Sequence, residues 1–304
     1  MTLDPELARL ANANSGLITR GQASAEHVSP AVLRACVRDG ALVRIRSGLF
    51  VLAEKWTGAA PHERLVLTAR GLLLGHATWM VSHHAALAVH GLPLHDVDLG
   101  LVDVVAPVVT SRPRRGLHVH RATPEQLQRG LTHPLRVVSP ADACVLTAAA
   151  SGYRAGVVAM DGALHRGLVT TEELQESLRT TGVRYGVGQC RAAMEAADPL
   201  SESPGESLTR IILTGAGLSV RSQVEIRDAH GFIGRVDLLV DERVIVEFDG
   251  ALKYAGQDGR RALMAEKKRE ERLRDAGYRI VRVTWAELGN PAALVRRVRQ
   301  QLAR

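Results

Sequence analysis

Three acidic residues near the end of this 304-residue chain, Asp237, Glu247 and Asp249, have the spacing best suited to chemistry. They lie in GRVDLLVDERVIVEFDG. There Val236, Leu238 and Val240 alternate with Arg235, Asp237 and Leu239, and Val244, Val246 and Phe248 alternate with Ile245, Glu247 and Asp249. Strand side chains switch faces at every residue, so two strands are predicted, each with one apolar face and one face holding carboxylates. A hairpin loop with an odd number of residues, for example 241–243, sets Asp237 opposite Glu247, with Cβ atoms about 5 Å apart. At that separation two carboxylates repel each other unless they share a cation. Mg²⁺ (or Mn²⁺) takes oxygen ligands and keeps positions open for water and phosphate. It also acidifies a bound water and neutralises charge on a reacting phosphate. The implied chemistry is phosphodiester hydrolysis.

Two more residues belong with this set. Lys253, four positions after Asp249, could orient the water or hold the phosphate. Glu206 could assist, but it follows Ser203 by three, which is also the spacing of a capping box. Only four of the 39 basic residues are lysine (Lys55, Lys253, Lys267 and Lys268), so three within sixteen residues suggest a local need for a compact ammonium. The run from Glu266 to Arg274 reads either as a salt-bridged, solvated helix face or, through Lys267 and Lys268, as a DNA contact.

The elements that would deliver such a site to its substrate lie toward the N-terminus. After a short helix over 3–13, Thr19 can cap a second helix, and Ser29 with Pro30 at the first helical position starts a third that stops at Gly40. LVRIR and GLFVL then alternate as strands around Ser47-Gly48. Helix, turn, helix and basic hairpin follow the order of a winged helix-turn-helix. In that fold the last helix enters the major groove and the wing lies along the backbone. Arg34 and Arg38 share one face of the helix, and Arg44 and Arg46 alternate on the wing strand. Arginine can bond guanine bidentately and neutralise phosphate. Exposed arginines mediating protein contacts are the competing reading.

Residues 59–200 form a mixed α/β region. Helical patterns lie near 61–75, 82–90, 140–151, 153–166 and 171–179, with strands at VDVVAPVV and LHVHRA. The stretch from about 180 to 203 reads as a connection. Of its histidines, His118 and His120 share a strand face and could bind zinc, but capping and surface roles account for the set without a metal. Cys144, in an apolar helix, reads as core. From 201 onward come a helix, three strands, a charged helix over 260–276 that ends at Gly277, a fourth strand and a last helix beginning at Asn290-Pro291. The expected class is α+β and multidomain: 1–58, 59–200 and 201–304.

Composition bounds the partners. With 39 basic and 32 acidic residues the net charge is +7, which favours a polyanionic partner. Aromatics are only 3%, which argues against a base-stacking platform for single strands. No apolar run is long enough for a membrane span, the first residues lack the pattern of a secretion signal, and three scattered cysteines suit a reducing cytoplasm.

The residues of the last region, Glu206, Asp237, Glu247-Phe248-Asp249-Gly250 and EKKREERLRDAGYRIVRVTW, resemble the very-short-patch-repair-like endonuclease domains of bacteria. These belong to the PD-(D/E)XK nuclease superfamily. The resemblance implies that Asp237 and Glu247 bind metal, with Glu206 the helix-borne acid and Lys253 the basic residue. The superfamily places lysine two residues after the second acid, and here that position is Asp249. Lys253, Lys267 or Lys268 would have to supply the charge, or the site is weak or dead. Residues 15–180 resemble the antitoxin-type regulators of the AbiEi family, through GLITRGQA, RDGALVRIRSGLFVL, SHHAALAVHGLPL and RVVSPADACVLTAAA. This likeness implies binding of double-stranded DNA and autoregulation beside a cognate toxin. Two functions are therefore expected to compete: a DNA-targeted, metal-dependent endonuclease, and a regulator carrying a degenerate nuclease fold.

Overall fold

The structure, a computed structural model, describes residues 3–132, 135–250 and 257–304; over 257–263 it describes the backbone alone. It is a mixed α+β chain with three sheets. No helix among the described residues is long and apolar enough to cross a membrane.

The N-terminal part contains α1 (Pro5–Ala13), β1 (Leu17–Thr19), α2 (Arg20–Ala25), α3 (Pro30–Arg38), β2 (Leu42–Arg46) and β3 (Leu49–Leu52), followed by α4 (Ala53–Thr57). Local signals start each of the first three helices. Asp4 accepts from the Glu6 and Leu7 amides, Thr19 forms a capping box with Gln22, and Ser29 accepts from the Val32 amide. The three-residue β1 is too short to show an alternation in sequence. It pairs with β3 to make the order β1-β3-β2. Leu7, Leu10, Leu33, Leu42 and Phe50 close the core beneath the helices.

The middle part comprises α5 (Pro61–Leu74), β4 (Met80–Val81), α6 (His83–Val89), β5 (Val102–Ala106), β6 (Arg112–Arg114), β7 (Leu117–Arg121), α7 (Pro124–Arg129), α8 (Pro140–Ser151), α9 (Tyr153–His165), α10 (Thr171–Thr180) and α11 (Val187–Ala196). Its sheet runs β4-β5-β7-β6, with β5 and β7 parallel and every residue of β5 buried. The expected connection over 180–203 is in fact built around α11. That helix starts at Gly186 without a side-chain cap and buries Cys190 and Ala193, so neither a start signal nor a large apolar stripe marks it. Cys144 is wholly buried, as a core residue.

The C-terminal part runs α12 (Pro204–Gly215), β8 (Val220–Asp228), β9 (Gly231–Val240), β10 (Val244–Phe248), α13 (Gln257–Asp275), β11 (Arg279–Val283), α14 (Trp285–Leu288) and α15 (Pro291–Leu302). The sheet order is β11-β10-β9-β8, antiparallel except for β10 and β11, which α13 connects in parallel. Leu208, Ile211, Leu294 and Val298 from α12 and α15 cover one face, in a cluster continuous with the middle core. Leu273 of α13 covers part of the other, against Leu239 and Ile245. The expected division into one apolar and one carboxylate face therefore needs correction. The second face is also apolar near the turn, and only its open end carries acids.

Candidate functional site

The acids meet at the open end of the β9–β10 hairpin. Residues 241–243 make the turn, with Asp241 and Glu242 in left-handed conformations. Val244 pairs with Val240, Ile245 with Leu239 and Val246 with Leu238, so the next position in register sets Glu247 opposite Asp237. Asp237 Oδ2 accepts a 2.9 Å hydrogen bond from the Phe248 amide. Burial pushes the Asp237 carboxyl up to about 6 against that bond, and Glu206 and Glu247 push the same way, while Arg269 opposes them.

Glu247 already has a cationic partner. Arg269 on α13 donates to Glu247 Oε1 at 2.7 Å, to the Arg235 carbonyl at 3.0 Å, and to Glu266 at 3.3 Å. Gly234 makes this approach possible, since a Cβ there would lie 2.6 Å from Arg269 Nε. Sequence reading misses Arg269, hidden in a run of alternating charges; the glycine in β9 is the signal that could have exposed it.

Glu206 is buried and heavily committed. Its Oε1 accepts from the Ser203 hydroxyl at 2.7 Å, and Oε2 accepts from the Glu202 amide at 3.0 Å and the Gln223 side chain at 2.9 Å. Ser203 caps α12 by accepting from the Glu206 amide, but the reciprocal bond of a capping box is replaced by these contacts, and the carboxylate is near enough to raise Asp237. Gly205 lets α12 sit directly on the Phe248 ring, because a Cβ there would fall 2.1 Å from it. The amide of Asp249 donates to Val283 at 2.7 Å, carrying the β10–β11 pairing one residue further. Lys253 lies outside the described residues.

These contacts decide how well the acids suit Mg²⁺ or Mn²⁺. Asp237, Glu247 and Asp249 do not gather their oxygens within 4.8 Å of one another. Among the described residues, the only three-ligand set that does so is His83, Asp103 and His120. Charge nevertheless favours a cation at the acid pair, because Arg269 is shared with Glu266. Asp237 and Glu247 face each other across the hairpin as a pair of acids, with no third acid among the described residues completing a three-ligand set there.

The predicted DNA-contacting residues divide. Arg34 and Arg44 are exposed and, with Arg20, rim a cleft of about 280 Å³ floored by Leu33, Val37 and Phe50. Arg38 is exposed and 3.7 Å from Asp39. Arg46 is a correction to the expected set. It donates to the carbonyls of Arg115 and Gly116, at 2.8 Å each, so its guanidinium clamps the wing to the β6–β7 turn. Lys267 and Lys268 are exposed on α13, with Lys267 4.0 Å from Glu271.

No family model matches the chain. Over 273 residues it is 26% identical to the uncharacterized proteins MT2308 and Rv2248 of Mycobacterium tuberculosis, from strains CDC 1551 / Oshkosh and ATCC 25618 / H37Rv, spanning 88% of this chain and 95% of each relative.

Proposed function

We propose that the chain is a double-stranded-DNA-binding protein whose C-terminal part is a metal-dependent endonuclease of the PD-(D/E)XK type, targeted by an N-terminal winged helix-turn-helix. The observation that carries this reading is the register of β9 and β10, which sets Asp237 opposite Glu247 at the open end of a four-stranded sheet. Asp237 and Glu247 would hold Mg²⁺ or Mn²⁺, which supplies an acidified water and charge neutralisation at the scissile phosphate. Arg269 orients the Glu247 carboxylate and keeps one oxygen of the pair neutralised. The Phe248 amide fixes the Asp237 carboxylate against the strand. Arg34 and Arg44 beside their cleft, and Lys267 and Lys268 on α13, are exposed and would meet phosphates.

A second reading is an antitoxin-type regulator whose nuclease-like part only binds DNA or a toxin. Arg269 bound at Glu247 favours it, as does Asp249 at the usual lysine position. Supercoiled-plasmid nicking with Mg²⁺ or Mn²⁺ separates the two. Nicking by the wild type that is lost in Asp237→Ala and Glu247→Ala supports the endonuclease. No nicking, with a DNA mobility shift that disappears in Arg34→Ala/Arg44→Ala, supports the regulator.

A further inference from the structure

On sequence, His118 and His120 are the histidines that share a strand face. The packed sheet selects a different set. His83 at the start of α6, Asp103 on β5 and His120 on β7 bring one ligand atom each within 4.8 Å of the others. Parallel pairing sets Asp103 beside His118 and Val105 beside His120, and the Asp103 carboxylate reaches diagonally to His120, with 2.6 Å between Oδ1 and Nε2. The carboxylate that sequence spacing lacks is thus supplied by a neighbouring strand.

We propose that His83, Asp103 and His120 form a binding site for a divalent transition metal of the zinc type, with an open coordination position facing the adjoining cavity. Two imidazole nitrogens and one carboxylate oxygen are a donor set for such ions, and three protein ligands leave a position for water or substrate. The cavity, about 860 Å³, is lined by His83, His118 and His120 together with Thr123, Gln126 and Thr181.

The surroundings support the set. Ser82 Oγ lies 3.0 Å from His83 Nδ1, the kind of outer contact that fixes a ligand ring. His84 Nε2 lies 2.9 Å from the Leu101 carbonyl. A carbonyl only accepts, so Nε2 carries the hydrogen. His84 Nδ1 faces Asp103 Oδ2, 3.6 Å away. His83 is also held at φ 51°, a left-handed conformation that costs energy and collects at functional positions.

The test uses the full chain, stripped with a chelator and titrated with Co²⁺ by visible absorption and with Zn²⁺ by calorimetry. Wild type and Glu247→Gln are expected to bind stoichiometrically, with Co²⁺ showing d–d absorption. His120→Gln should lose that absorption, and His118→Gln should keep it. Ser82→Ala, which leaves all three ligands in place, should weaken binding by roughly tenfold. That variant decides the matter if His120→Gln fails to fold, which thermal unfolding without metal reports. The proposal is overturned if the wild type takes up no stoichiometric metal. It is equally overturned if folded His120→Gln and Ser82→Ala both bind as the wild type does.

Discussion

Asp103 on β5 and Asp237 on β9 are both withdrawn from solvent, and in both burial is the largest force on the carboxyl, pushing it upward. The outcomes are opposite. At Asp103 the hydrogen bond from His120 and the charges of His83, His120 and His84 overcome burial, and the carboxyl ends below its ordinary range. At Asp237 the Phe248 amide and Arg269 do not overcome burial plus Glu206 and Glu247, and it rises to about 6. Burial alone therefore does not set the charge of a strand aspartate; the sign of the neighbours does. The middle sheet surrounds its acid with histidines, while the C-terminal sheet sets two further acids near its own.

Stability measurements can break that contrast. The largest effect is expected from Asp103→Ala, which leaves His120 and His84 around a vacated centre. Loss of one partner from a buried ionic cluster costs about 3–5 kcal/mol, and denaturant unfolding would measure it. A cost under about 1 kcal/mol, the worth of an exposed pair, would refute the idea that Asp103 anchors the cluster. Arg269→Ala comes next. It strips Glu247 of its partner at 2.7 Å, with an expected loss on the order of 2 kcal/mol. An unchanged melting temperature would mean that this arginine is incidental. The smallest effect concerns the wing. Arg46→Ala removes two hydrogen bonds to carbonyls and should cost about 1 kcal/mol. DNA affinity should hold in this variant and fall in Arg34→Ala/Arg44→Ala; a fall with Arg46→Ala alone would return Arg46 to the DNA face.

Features that form within one turn or one hairpin are legible in the sequence. Ser29-Pro30, Ser139-Pro140 and Ser203-Pro204 mark helix starts that the structure retains, because a cap and its proline act within one turn. The strand alternation around Asp237 and Glu247 likewise fixes their opposition once the turn length is set. What stayed hidden depends on contacts between distant segments. Leu239 and Ile245 are buried because Leu273 returns over them from α13. Arg46 is taken by carbonyls some seventy residues onward. Asp103 and His120 meet because β5 and β7 pair in parallel, and no local pattern in either strand announces the other. Arg269 belongs with these, since its target lies 22 residues earlier on another element.

The most direct test of the claim about neighbours is the pH dependence of stability in Asp237→Asn against the wild type. The amide keeps an acceptor for the Phe248 N–H but cannot ionise. An acid raised to about 6 in the folded state destabilises it increasingly as pH climbs from the ordinary carboxylate range, near 3.8, through 6, and by a constant amount above. The expected result is that the two proteins have similar stability near pH 4 and that the variant gains with rising pH, by up to about 3 kcal/mol at pH 8. A gap that stays flat across that range, or a variant less stable than the wild type at pH 8, would contradict it.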